Sequence, residues 1–307
     1  MTGEEVVRLA RRRLDDLAEP YLWEDVELVD YLNRSINEIC EKTELIRDSS
    51  TTAIVQIKLL ANLGKYSLDT RVIRIFGCRV TDKTLPLTLA TETFLDRFHS
   101  NWRAEYSADN TGVTYIVPLI EGGATQSVQF VPYIYDATGY IAGASDITFT
   151  TPPNLIYKVG ATFTDHFETG DSIYVSGTTS NDGYKTVVTV AATDIIVSET
   201  LVAEASTSAV IRRVENTATM SVARYPSAQF TSDNLATQAI EIPFAYHSQL
   251  IEGIMMHAYE KDDADSMDQK KADRARLRFY KTIDDLKRLH IRRYHSPGAI
   301  ELHKGAI

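Results

Sequence analysis

Between Pro243 and Tyr294 the sequence carries two apolar stripes of helical period, with a short aspartate-rich run between them. His247, Leu250, Ile251, Ile254, Met255, Ala258 and Tyr259 recur every three or four residues, a spacing that gathers side chains on one face of an α-helix. Pro243 suits the first position of that helix, where its missing N–H is not needed. The run Lys261-Asp262-Asp263-Ala264-Asp265-Ser266-Met267-Asp268 then interrupts the stripe and supplies polar caps. A second stripe follows at Ala272, Ala275, Phe279, Ile283 and Leu286, set among dense charges. Two helices joined by a short polar turn are expected to lie antiparallel as a hairpin.

The opening fifty residues obey the same logic. Thr2 and Glu5 form a capping-box pattern, and Val6, Leu9, Ala10, Leu14 and Leu17 predict an amphipathic helix ending before Pro20. Asp25 to Thr43 predicts a second helix with Val26, Val29, Leu32, Ile36, Ile39 and Cys40 on its inner face. Acidity concentrates in residues 1–50, where 13 acidic against 7 basic side chains leave −6. From Ala53 the period changes to two. Ile54, Ile57 and Leu59 lead to Gly64, and Val72–Val80 reads as a buried strand. Thr91 to Trp102 reads as a short helix capped by Thr91, with Phe94, Leu95, Phe98 and Trp102 on one side. Strands are expected again at Thr114–Leu119, Ser127–Tyr135 and Ala218–Tyr225.

Residues 145–214 differ in character. They show no helical period, many threonines, and four basic against eight acidic side chains. Short β runs stand at Ile147–Thr151, Leu155–Val159, Ile173–Ser176, Tyr184–Val190, Asp194–Val197 and Ala209–Arg212, with turns at Gly170-Asp171 and Asn181-Asp182-Gly183. This spacing predicts a small sandwich or barrel inserted with its ends close together, while the flanking strands Ser127–Tyr135 and Ala218–Tyr225 pair with each other. The expected fold class is α+β. A helical bundle of N-terminal helices plus the C-terminal hairpin joins a β-sheet region to form one domain, 1–144 and 215–295. The all-β module, 145–214, is inserted in it, and 296–307 is a C-terminal docking tail. Ser296-Pro297-Gly298 breaks the helical pattern, so Arg292, Arg293, Tyr294, His295, Ile300, Leu302 and Ile307 are the candidate docking residues.

Composition narrows the function classes. With 44% hydrophobic and 24% charged residues the chain of 307 is of ordinary globular type. A formal net charge of −10 argues against broad binding to nucleic-acid phosphates, which needs a basic surface. Cys40 and Cys78 supply no disulfide framework and suit a buried, reduced pair. The charged N-terminus and the lack of a long apolar run predict neither a signal peptide nor a membrane span, and cytoplasmic synthesis.

The catalytic lures are weak. Gly170-Asp171-Ser172-Ile173 matches the nucleophile motif of GDS-type esterases, but the lone D-x-x-H pair, Asp96 with His99, precedes the serine and the residues after Ser172 read as strand. Asp262, Asp263, Asp265 and Asp268 fail calcium-loop spacing, with Met267 where an oxygen ligand belongs. His290, His295 and His303 lack zinc-ligand spacing. No phosphate-binding or nucleophile-elbow motif is present. The residues therefore read as a structural protein: no enzyme, no cofactor, no metal.

Several strings carry a family resemblance. Trp23-Glu24-Asp25 through Asn33-Arg34-Ser35-Ile36-Asn37-Glu38, Tyr66-Ser67-Leu68-Asp69 leading into Val72-Ile73-Arg74-Ile75, and Ile242-Pro243-Phe244-Ala245-Tyr246-His247 followed by Ala258-Tyr259-Glu260-Lys261-Asp262-Asp263-Ala264 resemble the head-to-tail adaptors (connectors) of tailed bacteriophages. The resemblance implies a ring, commonly of twelve subunits, docked beneath the portal protein at the head–tail junction of the virion. The ring would form part of the DNA channel and a platform for tail or nozzle proteins. It also implies that genomic DNA passes without sequence-specific binding and that no membrane is involved. The segment around Phe167 to Gly177, with Asn181-Asp182-Gly183-Tyr184, is similar to small β modules of phage structural proteins. The alternative reading is a tail-associated module that recognises a cell-surface receptor or glycan through the insertion, using Tyr157, Phe163, Phe167, Tyr174 and Tyr184.

Overall fold

The computed structural model describes residues 1–99, 101–107, 112–120, 126–136, 140–142, 147–206, 208–261 and 268–294. Among them are six α-helices: α1 (Gly3–Leu14), α2 (Asp25–Thr43), α3 (Thr52–Val55), α4 (Glu92–Phe98), α5 (His247–Tyr259) and α6 (Gln269–Tyr294). With three sheets among the same residues, of mostly antiparallel pairing and parallel only where Thr88–Leu89 meets Tyr115–Ile116 and Tyr106–Ser107 meets Tyr133–Ile134, the protein is α+β. The chain divides into two compact units, one comprising residues 1–48, 71–74 and 222–307, the other residues 49–70 and 75–221.

The first unit is helical. Thr2 and Glu5 close a capping box on α1, and Asp15, left-handed at φ 60°, ends it. Asp268 precedes α6, its carboxylate accepting the Lys271 N–H at 3.0 Å, so a first-turn amide is satisfied. The predicted stripes of α5 and α6 turn inward together: Leu250, Ile251 and Ile254 share one core with Ala272, Phe279 and Ile283, and with Leu32, Ile36 and Ile39 of α2. Each buried leucine, isoleucine or phenylalanine among them stabilises the fold by about 1.5–3 kcal/mol. Gly253 permits this closeness, for a Cβ there would fall 2.7 Å from Ser35 Cβ and 2.9 Å from the Phe279 ring. The loop Lys261–Asp268 lies outside the described residues from 262 to 267.

Several expectations are corrected. Pro243 precedes a 3₁₀ turn, Phe244–Tyr246, and α5 begins only at His247, so the proline does not open the helix. Because α1 stops at Leu14, Leu17 lies beyond it and is exposed, and Val26 also faces outward while Leu28 and Val29 take the inner positions. In α4 it is Leu95 that is buried, with Trp102 beyond the helix; Phe94 and Phe98 are exposed. Ala53–Val55 belongs to α3, and the strand starts at Gln56.

The second unit is built of sheets. The strands Lys65–Ser67, Gln126–Val131, Tyr115–Ile120 and Thr88–Leu89 form one four-stranded sheet in that order. A longer path runs from Val210–Arg224 through Ser172–Ser176, Gly183–Val190, Asp194–Val197, Leu155–Lys158 and Ile147–Thr150 to Glu204–Ser206. The expected pairing of Ser127–Tyr135 with Ala218–Tyr225 does not occur. Gln126–Val131 pairs with Lys65–Ser67 and Tyr115–Ile120, whereas Thr217–Thr219 pairs with Gln56–Lys58. A separate apolar core, drawn wholly from residues 147–211, includes Phe149, Phe163, Phe167, Ile173, Val187 and Ile195. Tyr140–Ala142 and Val210–Arg212 pair antiparallel at its entry and exit, with Ala142 opposite Val210, and Ile147 stands opposite Ser206. Gly177 turns at φ +81°, where a Cβ would collide with the Ser208 carbonyl, so only glycine fits. Cys40 and Cys78 are both free, and burial pushes each thiol up to about 12.

Candidate interface surfaces

The corner between α1 and α2, residues 15–24, is an irregular segment held by several buried side-chain bonds. Arg11 sits on the inner face of α1 with Val7 and Leu14, and is only 8% exposed. Its guanidinium bonds Asp16 at 2.5 Å and Asp25 at 2.6 Å, and donates to the Trp23 carbonyl at 2.8 Å. Asp16 in turn accepts the Leu22 N–H at 2.8 Å. Buried charge is tolerated here because each of the three guanidinium nitrogens meets an acceptor, two of them carboxylates, the planar fork being suited to several at once. The Trp23 indole donates to the Ala258 carbonyl at 3.0 Å and meets Tyr259 edge to face, which anchors the corner on α5. Tyr21 is held under the Arg11 guanidinium at 4.1 Å. The sequence signal for this node is a lone arginine on an apolar stripe, four residues after Val7 and three before Leu14.

A second polar node joins α2 to α6. Glu38 bonds Lys42 at 2.8 Å and accepts the Tyr280 hydroxyl at 2.5 Å. Burial alone raises the Glu38 carboxyl, but the Lys42 and Tyr280 hydrogen bonds outweigh it and hold it below the usual carboxylate range. Nearby His257, packed against Tyr31, and His247, whose Nε2 bonds the Ile242 carbonyl at 2.6 Å, both have pKa values lowered by burial.

Of the predicted docking residues, Arg292, Arg293 and Tyr294 form the last turn of α6; His295, Ile300, Leu302 and Ile307 lie outside the described residues. Helix α6 as a whole carries ten basic and three acidic side chains, a basic element in an acidic chain.

The chemical lures are placed plainly. Ser172 opens a strand opposite Thr186, and Asp171 accepts the Glu168 N–H at 2.8 Å in the turn before it. Asp96 is bonded to Arg103 at 2.5 Å and to the Trp102 indole at 2.8 Å, which hold its carboxyl below the usual range. His99 meets the Tyr115 hydroxyl at 3.3 Å beside a cleft of about 510 Å³ lined by Phe98, Asn101, Glu105 and Tyr106. Asp262, Asp263 and Asp265 and two of the three C-terminal histidines, His295 and His303, lie outside the described residues. Among the described residues no three His, Cys, Asp or Glu side chains gather as a metal site, and no helix is long and apolar enough to cross a membrane.

Set against known families, the sequence matches an adaptor-type group of phage proteins over residues 1–301, almost its whole length. The chain belongs to that family, the SU10 adaptor proteins. No curated protein matches the sequence.

Proposed function

We propose that the protein is the head-to-tail adaptor of a tailed phage, a non-enzymatic virion component that forms a ring beneath the portal, lines part of the DNA channel and receives the tail or nozzle proteins. The family match over residues 1–301 carries this reading. The helical unit supports it, since α1, α2, α5 and α6 share one core and leave long, charged outer faces for neighbours. An acidic excess of −10 lets DNA pass without gripping it.

Isolated copies associate weakly, because exposed ion pairs contribute about 0–1 kcal/mol each. The portal supplies rotational symmetry and a high local concentration that offset this. The segment from Arg292 to Ile307 is the portal-docking element. Mixing the purified protein with its cognate portal and imaging the product by electron microscopy tests the reading. Rings on the portal are expected for the full chain, and weaker assembly with an unchanged melting temperature after truncation at Tyr294. No binding to the portal by the full chain would sink the adaptor role.

A further inference from the structure

Helix α6 exposes a continuous ridge that nothing among the described residues covers. Lys270, Arg274, Leu277, Lys281 and Arg288 are all exposed, and their spacing of four, three, four and seven puts them in one line along the helix. They stand opposite the buried row Ala272, Ala275, Phe279, Ile283 and Leu286. Leu277, in the middle of the ridge, is 72% exposed. None of the four cations makes an ion pair with a described residue, whereas Arg276 and Arg278, on the flanks of the helix, reach Glu260 and Glu252.

The α1–α2 corner is the opposite kind of surface. Residues 15–26 hold five acidic side chains and no basic one. Asp16 and Asp25 are used by Arg11, but Asp15, Glu19 and Glu24 are exposed and make no ion pair with a described residue. Among them Leu17 and Val26 are 63% and 59% exposed, with Tyr21 and Leu22 also outward. The Arg11 and Trp23 anchors fix this corner in place, so an exposed apolar group here costs no ordering when a partner arrives.

We propose that copies of this chain meet head to tail, the α6 ridge of one copy seated on the α1–α2 corner of the next. The inference rests on the ring reading above and names its lateral contact. Leu277 would enter among Leu17, Tyr21, Leu22 and Val26, with the ridge cations meeting Glu19 and Glu24 around it, since Asp15 shares a groove with Arg274 of its own copy. That is an apolar centre with a charged rim, the usual anatomy of a specific contact. A heterologous contact of this sort, repeated, closes into a ring when the rotation allows. Duplex DNA is the poorer occupant of the ridge, because a phosphate backbone offers nothing apolar to cover Leu277.

The test uses the full chain without any portal. Leu277→Cys in one preparation and Leu22→Cys in another are mixed with a short bismaleimide; Cys40 and Cys78, both buried, leave little background. Mixed 277–22 adducts are expected to exceed 277–277 and 22–22 adducts several-fold, and to fall with added salt. Reversing the ridge (Arg274→Glu with Lys281→Glu) or the corner (Glu19→Lys with Glu24→Lys) should cut the mixed adduct about tenfold, a change equivalent to about 1.4 kcal/mol. Mixing ridge-reversed with corner-reversed copies should restore it. Adducts without the mixed preference, or indifferent to both reversals, would overturn the proposal. So would a ridge reversal that abolishes retention of a duplex oligonucleotide while leaving the adducts intact. The portal experiment reads separately: rings of normal yield from reversed variants remove this contact and leave the adaptor, whereas wild-type protein that ignores the portal removes the adaptor.

Discussion

The indole N–H of Trp23 reaches the carbonyl oxygen of Ala258 across 235 positions of sequence, at 3.0 Å, and both groups are buried. This single bond ties the corner after α1 to the last turn of α5, where a helix leaves its carbonyls without intrahelical partners. Trp23→Phe keeps most of the ring and removes the donor. It should cost about 1–3 kcal/mol, since a buried acceptor is left unmet. Urea denaturation followed by circular dichroism measures this; a loss within 0.3 kcal/mol of zero would show that water satisfies Ala258 instead.

Gly253 should invert a familiar rule. In an exposed helix interior, glycine to alanine stabilises by about 1 kcal/mol. Here the new methyl would meet Ser35 Cβ at 2.7 Å and Phe279 at 2.9 Å, and the Ser35 atom is anchored to its backbone. Gly253→Ala is therefore expected to destabilise by about 1–3 kcal/mol. Adding Ser35→Gly should recover part of that loss relative to the sum of the single changes, which a double-mutant cycle reads directly.

Acid should weaken the helical unit in two stages. His247 and His257 both have folded pKa values lowered by burial, and Glu38 is held low by Lys42 and Tyr280 against the opposing effect of its own burial. A depressed folded pKa gives stability that is present above the unfolded value and lost as pH falls through the folded one. The histidines thus act from about pH 6.5 downward and Glu38 from about 4.3 downward. Thermal melts between pH 7.5 and 3.5 should show both declines, and His257→Phe, which keeps the stacking on Tyr31, should shrink the first. A melting temperature flat from pH 7.5 to 5 would contradict it.

Excision of the β module has a defined cut. The strand Val210–Arg224 is continuous from the module pairing at Ile211 to the pairing of Thr217 with Lys58, so a cut at residue 214 would sever it. Ala142 and Val210 face each other in antiparallel register, the geometry a two-residue Asn-Gly turn closes. Replacing residues 143–209 by Asn-Gly, with Ile211→Thr to suit its lost cover, should leave helical circular dichroism unchanged. Aggregation or a large helical loss would show that the module supports its host.

Much of this was legible because periodicity reports burial. The stripe of α6 and the capping box at Thr2 stand as the spacing predicts, and α2 runs from Asp25 to Thr43, whereas in α5 it is Met256 and not Met255 that is buried. The misreadings share a cause: periodicity cannot see where a neighbour ends. Val26 and Phe94 fit an apolar face by spacing, but the inner positions were taken by Leu28 and Leu95. Likewise the alternation around Ala218 and around Ile57 and Leu59 shows in the sequence while the pairing of the two strands does not, because register depends on residues far away in sequence. Of the interface surfaces, Leu277 stands outside the stripe of α6 and could have been noticed. The Arg11 node could not have been assembled without seeing Asp16 and Asp25 come together.

The neck formed by Tyr140–Ala142 and Val210–Arg212 has a consequence on the timescale of descent. Two antiparallel strands about 4.8 Å apart make the same demand on their host whether a two-residue turn or the 67 residues 143–209 separate them. A lineage can therefore acquire, discard or exchange whatever hangs from that neck by recombination at one pair of sites, without altering the helical unit. Variation among relatives should then be abrupt at the neck and gradual elsewhere.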